Sequence, residues 1–87
     1  MDSRSLDMRW TRSANIVDIK LVGQNDRQTD LRYTLTVTAD SNTTNKGSVR
    51  LRDSRPVSVA TVRVQSKGPW RAELRVEGDE NYVISAP

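Results

Sequence analysis

The sequence predicts an all-β fold, a seven-stranded β-sandwich. Apolar and polar residues alternate in short segments along nearly the whole chain, as in strands with one buried face. Seven such segments follow one another at fairly regular spacing, with turn-forming residues between them. No segment of useful length has the period of a helix. We expect one domain over residues 1–87, with a flexible N-terminus at 1–5.

The first two strands are short and lie close together in the sequence. Alternation predicts the first strand at 6–11 and the second at 17–21. Ser13-Ala14-Asn15 provides a turn between them, and 23–28 forms a polar loop after the second strand.

The third strand has the clearest pattern of the seven. From Leu31 to Ala39, aliphatic residues and Tyr33 face one way while Arg32 and three threonines face the other. The polar stretch 40–47 is predicted to be a long loop. The fourth strand is then short, from Val49 to Arg52.

The last three strands complete the set. The fifth is predicted at 57–64, where the valines change phase between Val59 and Val62, and this change indicates a bulge or a bend. The sixth is predicted at 70–77, after a turn at 66–69. The seventh follows the turn at 78–81 and contains Tyr82, Val83 and Ile84.

The core is predicted from the residues that share the inward phase of these strands. Two facing sheets fill the space between them from such alternating sets. The predicted inward residues are Met8, Trp10, Val17, Ile19, Leu21, Tyr33, Leu35, Val37, Val49, Leu51, Val62, Val64, Trp70, Ala72, Leu74 and Val76.

Composition removes most kinds of catalytic site. The chain has no His and no Cys, so imidazole bases, thiol nucleophiles and thiolate metal sites are excluded. Carboxylates remain, but we expect no enzyme, no cofactor and no metal. No apolar run is long enough to cross a membrane, so no membrane insertion is expected. The net charge of +3 favours acidic partners weakly, and the 5% aromatic content argues against nucleic acid.

Two other features have a plain structural interpretation. Asp79 and Glu80 could suggest calcium, but the turn offers too few oxygen ligands, and a solvated hairpin turn fits better. Trp10 and Trp70 could stack on a sugar or a base. Both are in phase with aliphatic neighbours, which favours packing in the core.

Outward arginines are the most distinctive feature of the strands. If the fourth and fifth strands pair, Arg50, Arg52 and Arg63 share one face. Arg32, Arg71 and Arg75 lie on another sheet, beside Glu73 and Glu77. One interpretation is protection against edge-to-edge aggregation. The other is a cationic surface for transient contact with a β-prone chain. The candidate binding residues are Arg50, Arg52, Arg63, Arg32, Arg71 and Arg75.

The stretch from Tyr33 to Val76 has an order of pieces that resembles a known family. The pieces are Tyr33-Thr34-Leu35-Thr36-Val37, the small-polar segment 41–47, the short strand 48–51, the valine-rich strand 57–64 and the closing segment 70–76. In order and spacing they resemble the curli assembly chaperones of the CsgC/CsgH type, and the CsgH branch most.

The resemblance implies a small periplasmic immunoglobulin-like protein that holds the major curli subunit in a non-amyloid state without ATP. We therefore expect a periplasmic monomer whose partner is the curli subunit, with a signal peptide that is not part of this sequence. Some relatives carry a Cys-x-Cys pair near the strand that here begins at Thr29, and this chain has none, so a redox role does not carry over. The alternative is a structural or adhesive β-sandwich module that binds carbohydrate or a partner protein.

Overall fold

The computed structural model describes residues 4–52 and 54–86. These residues form seven strands and no helix, which confirms the predicted all-β fold. The strands are β1 (Leu6–Ser13), β2 (Ile16–Gly23), β3 (Thr29–Thr38), β4 (Asn42–Leu51), β5 (Val57–Gln65), β6 (Arg71–Gly78) and β7 (Tyr82–Ala86).

The described strands are arranged in two antiparallel sheets. The three-stranded sheet has the order β1-β2-β5, and the four-stranded sheet has the order β4-β3-β6-β7. The chain therefore enters the four-stranded sheet at β3, returns to the first sheet with β5 and ends in the four-stranded sheet. This architecture confirms the immunoglobulin-like β-sandwich.

The core lies between the two sheets and follows the alternation of each strand. On β3, Leu35 and Val37 are fully buried, while Thr36 between them and Thr38 after them are exposed. The same alternation on β2 and β6 supplies the facing side chains. The buried hydrophobic residues are Leu6, Met8, Val17, Ile19, Leu21, Leu31, Tyr33, Leu35, Val37, Leu51, Val62, Val64, Trp70, Ala72, Leu74, Val76 and Ala86.

The core differs from the prediction at the ends and edges of strands. Trp10 is 43% exposed, so its assignment to the core is wrong. It lies on the edge strand β1 and contacts buried Trp70 edge to face, with ring centroids 4.9 Å apart. Val49 is half-buried because β4 is also an edge strand. Leu6 and Leu31 are buried although the predicted inward set did not include them.

The predicted irregularity in the fifth strand is confirmed as a β-bulge. Leu21 lies opposite Ala60, whereas the next residue, Val22, lies opposite Ser58. Val59 is therefore the extra residue, and it packs against the core. The bulge lets Val59 pack against the core while Val62 and Val64 beyond it are also buried, whereas Val57 before it is exposed.

The fourth strand is longer than predicted. Residues 42–47, expected in a loop, belong to β4, which pairs with β3 over its full length of ten residues. Thr43, Asn45 and Gly47 are half-buried and alternate with exposed neighbours. The pairing with β3 overrides the weak intrinsic strand preference of this polar segment.

The start of the chain is attached to the four-stranded sheet. Ser5, expected in a flexible N-terminus, is buried, and its N–H donates to Glu80 Oε1 at 2.8 Å. Its hydroxyl donates to Glu80 Oε2 and accepts a hydrogen bond from Asn25 Nδ2 at 2.6 Å. Residues 1–3 of that predicted terminus lie outside the described residues.

Candidate functional site

Residues 4–52 and 54–86 contain no group of three or more His, Cys, Asp or Glu side chains placed to hold a metal ion. They also contain no helix long and apolar enough to cross a membrane. The largest concentration of charged side chains that point the same way is on the outer face of the four-stranded sheet.

This face is built by the register of β4, β3 and β6. Arg32 lies opposite Ser48 on one side and Glu77 on the other, and Thr34 lies between Lys46 and Arg75 in the same way. Residues directly opposite each other in antiparallel strands point to the same face of the sheet. We call this surface the cationic face. Its charged residues are Arg32, Lys46, Arg50, Arg71, Arg75, Asp30, Glu73 and Glu77.

The cationic face has an excess of positive charge. Its described strands carry five basic and three acidic side chains, which gives a net charge of +2. Threonine and serine hydroxyls lie between the charges, as at Thr34, Thr36 and Ser48. The face can therefore both attract acidic groups and form hydrogen bonds with a polar chain.

The relief of this face is a continuous open trough. A depression of about 580 Å³ beside Asp30 and Arg50 adjoins one of about 450 Å³ beside Lys46, and the two share Arg32 and Ser48. A third of about 300 Å³ continues over β6. Because the trough is long and open, it suits an extended polypeptide better than a small molecule, which usually needs a closed, mostly apolar pocket.

One ion pair lies within the trough. Arg50 Nε donates to Asp30 Oδ1 at 2.7 Å, and both side chains are about half exposed. The hydrogen bond to Asp30, and then its charge, raise the pKa of Arg50 above its usual value. Among the described residues, Arg32 and Lys46 form no ion pair. Their charges are available to a partner.

The structure brings four of the six candidate arginines together. Arg32, Arg50, Arg71 and Arg75 lie on the cationic face. Arg52 is exposed and follows directly after β4. The four are joined there because β3 pairs with both β4 and β6.

Arg63 is separate from the others. The expectation that Arg50, Arg52 and Arg63 share one face is wrong, because β4 and β5 belong to different sheets. Arg63 lies on the outer face of the three-stranded sheet, where its Nε donates to Asp18 Oδ1 at 2.7 Å. The hydrogen bond and charge of Asp18 raise the pKa of Arg63 in the same way.

Sequence reasoning missed Lys46 as a member of the site. It was placed in the predicted loop, whereas it points outward from the middle of β4, opposite Thr34. A signal was present in the neighbouring residues: β-branched Thr43 and Thr44 favour a strand. The alternation around them is weak because Asn and Gly, not aliphatic residues, take the inward positions.

Comparison with known proteins places this fold. No protein-family model matches the chain, and neither does any curated protein sequence. The E. coli curli protein CsgC matches in structure with a TM-score of 0.66 over 97% of this chain and 96% of its own, at 10% sequence identity. CsgH of R. palustris matches with a TM-score of 0.57 over 93% and 86%, at 15% identity. The chain thus has the fold of the curli proteins CsgC and CsgH.

Proposed function

We propose that this protein is a periplasmic chaperone that binds the amyloid-forming major subunit of curli and delays its assembly without ATP. The structural likeness to two curli proteins supports an association with curli. The observation that carries the proposal is the cationic face, a wide, open, positively charged sheet surface. The protein acts by binding and not by catalysis.

The mechanism follows from how amyloid grows. A fibril nucleus adds strands to an exposed edge, so any contact that occupies an early, partly ordered chain delays growth. The cationic face offers guanidinium groups, which form planar, multiple hydrogen bonds with carboxylates and carbonyl oxygens. Exposed charge pairs are individually weak in water, so the contact is transient and the protein is released to act again.

Charge also makes the encounter fast. Complementary potentials steer association, and they do so less well as salt rises. Within the trough, Arg32 and Lys46 form no ion pair with the described residues, so a partner can bind their charged groups. Arg50 forms an ion pair with Asp30. We place the client-binding surface on these residues together with Arg71 and Arg75.

Fibril formation by purified curli subunit, followed with thioflavin fluorescence, tests the proposal. A substoichiometric amount of this protein should lengthen the lag phase several-fold, because nuclei are rare compared with monomers. An unchanged lag would overturn the chaperone function and favour the adhesive module. The same assay carries two matched variants, Arg50→Ser and Arg63→Ser. Each removes an exposed arginine bonded to an aspartate at 2.7 Å, one on the cationic face and one on the opposite sheet.

The two variants are expected to behave differently. Arg50→Ser should return the lag part of the way to that of the subunit alone. Arg63→Ser should inhibit like the unchanged protein. Circular dichroism and the urea midpoint confirm that each variant is folded. Equal losses from both faces would show that net charge, and not the cationic face, carries the activity.

A further inference from the structure

The described strands leave four sheet edges, and β4 is the longest of the four. Edge strands expose unpaired backbone groups that can recruit another chain, and proteins protect them with short length, bulges, proline or charged side chains. β5 has its bulge at Val59 and follows Pro56. β7 has only five residues. β1 has eight residues, and the guanidinium of Arg12 near its end is bonded to the carbonyl oxygens of Ser66 and Gly68.

The fourth edge, β4, is protected by the charged side chains of Lys46 and Arg50, and these disfavour a basic chain but not an acidic one. It is ten residues long and matches β3 residue for residue with no register shift. It contains no proline. Every second residue of an edge strand directs its N–H and C=O away from its neighbour. No strand of the described chain pairs with β4 on that side, so this backbone is a regular template for a further strand.

The side chains of β4 specify what that strand would carry. On the outer face, Thr44, Lys46, Ser48 and Arg50 alternate small hydroxyls with two cations four residues apart. Lys46 has no ion pair among the described residues. Opposite charges across a strand pair stabilise it, and like charges destabilise it. Carboxylates opposite Lys46 and Arg50 are therefore favoured.

The same charges argue against a second copy of this chain. Two β4 strands paired with each other would bring two copies of Lys46 and of Arg50 onto one narrow surface, beside Arg32 of each copy. That surface would hold six cations and only the two Asp30 carboxylates. Like-charge repulsion therefore disfavours self-pairing.

We propose that the free edge of β4 binds an extended segment of a partner protein, with two carboxylates four residues apart, as an added antiparallel strand. The antiparallel direction follows that of all neighbours in this sheet. Main-chain hydrogen bonds hold the segment, and Lys46 and Arg50 set its register and charge preference. The inference deepens the proposed function and rests on it only for the identity of the partner protein.

Disulfide capture tests the proposal because the chain has no cysteine of its own. Thr44 on β4 and Thr36 on β3 are both exposed and lie opposite each other. An added strand would lie about 5 Å from β4 and about 10 Å from β3, whereas a disulfide needs Cα atoms within about 7 Å. Thr44→Cys should therefore capture an added strand, and Thr36→Cys should not.

The probe is a blocked synthetic peptide with two glutamates four residues apart and a cysteine two residues after the second. In the antiparallel register, with the glutamates opposite Arg50 and Lys46, this cysteine lies opposite Thr44. In a glutathione buffer, Thr44→Cys should form the mixed disulfide at least about tenfold more than Thr36→Cys, after correction for each variant's reaction with glutathione. A peptide with lysines in place of the glutamates should be captured at least about tenfold less.

Several results would overturn the proposal. Equal capture at the two positions, or more at Thr36→Cys, would show that the peptide lies across the cationic face. Equal capture of the lysine peptide would show that charge plays no part. A Thr44→Cys disulfide dimer that outcompetes the peptide would show that a second copy occupies the edge.

Hydrogen exchange on the unchanged protein provides a second measurement. The probe here is the acidic peptide with serine in place of its cysteine, added at saturation. Alternate amides of β4 should then exchange more slowly, and the exchange rates of the β7 amides should not change. No slowing on β4 would also overturn the proposal. Neither experiment uses curli subunit, so failure here leaves the fibril assay as an independent test of the proposed function.

Discussion

At the scale of single residues, Gly47 and Tyr33 act as a pair. They lie opposite each other on β3 and β4, and the buried Tyr33 ring covers the glycine. A Cβ atom at Gly47 would lie 2.6 Å from the Tyr33 hydroxyl oxygen and 2.8 to 2.9 Å from two ring carbons. The hydroxyl donates to Asn45 Oδ1 at 3.3 Å, which holds the ring in place. The glycine is therefore needed for the tyrosine to reach the edge of the sheet.

Gly47→Ala is expected to destabilise the protein by about 1–3 kcal/mol, the usual cost of overpacking. In a strand without such a contact, alanine is more favourable than glycine by about 0.5–1 kcal/mol, so the clash reverses the sign. Gly68→Ala is the control, since a Cβ at Gly68 meets no atom within 4 Å. Urea unfolding measures both free energies. Equal stability of the two variants would show that the Tyr33 ring moves aside freely.

The two tryptophans show the limit of sequence reasoning at this scale. Both Trp10 and Trp70 are in phase with aliphatic neighbours, and both were predicted to be buried. Trp70 is buried and Trp10 is 43% exposed, although their rings touch. Alternation identifies the face of a strand but not whether the opposite sheet extends far enough to cover that position.

At the scale of strands, the sequence predicts β3 correctly and β4 only in part. β3 alternates aliphatic residues with threonines, so its existence and its inward face were both predicted correctly. Six of the ten residues of β4 fall in the predicted loop, because Asn, Lys and Gly have low strand preference. Its pairing is imposed by β3, and a non-local partner cannot be deduced from the segment itself. For the same reason, Lys46 was missed as a member of the cationic face.

The far end of β1 is held by one side chain. Arg12 Nη2 donates to the Ser66 carbonyl oxygen at 3.0 Å, and Nη1 donates to that of Gly68 at 3.1 Å. These carbonyls belong to the segment that leads from β5 to β6, and so from one sheet to the other. Arg12 therefore ties an edge strand to the connection between the sheets.

Arg12→Ala is expected to destabilise the protein by about 1 kcal/mol, since the bonds are charge-assisted but exposed to water. Hydrogen exchange in the last residues of β1 should become faster. Arg9→Ala is the matched control on the same strand, because Arg9 is exposed and makes no ion pair with the described residues. It should change stability by less than about 0.5 kcal/mol. Equal effects of the two variants would show that the Arg12 contacts contribute nothing.

At the scale of the molecule, the arrangement of strands into sheets determines which charged residues lie together on the cationic face. The strand faces were largely predictable, but alternation contains no information on which strands are neighbours. Pairing of the fourth and fifth predicted strands would have placed Arg63 beside Arg50. The observed order instead joins Arg50 to Arg32 and Arg75 through β3 and places Arg63 on the opposite sheet. The cationic face is thus a product of topology.

The two sheets are also joined directly through Tyr82. Its hydroxyl oxygen, on β7, accepts a hydrogen bond from the Leu6 N–H at 3.0 Å and donates one to the Leu6 carbonyl oxygen at 3.1 Å. Leu6 begins β1, so these bonds connect the four-stranded sheet to the three-stranded one. Burial is the main cause that raises the pKa of Tyr82 to about 12, and the charge of Glu80 adds to it. The hydrogen bond that the Leu6 N–H donates to the Tyr82 oxygen opposes this rise, because it also stabilises the phenolate.

The raised pKa of Tyr82 predicts how stability depends on pH. An unfolded tyrosine has a pKa of about 10, so between pH 10 and 12 the folded protein binds more protons than the unfolded chain. The stability contributed by neutral Tyr82 is therefore complete below pH 10 and is lost as pH rises toward 12.

Tyr82→Phe should be less stable than the unchanged protein by about 1 kcal/mol at pH 8, because the bonds to Leu6 are lost. Urea unfolding from pH 8 to 12 should show this difference shrinking above pH 10, since the lysines titrate in both proteins and cancel. A constant difference would mean that Tyr82 ionises as easily in the fold as in water, and that its contact with β1 does not exclude solvent.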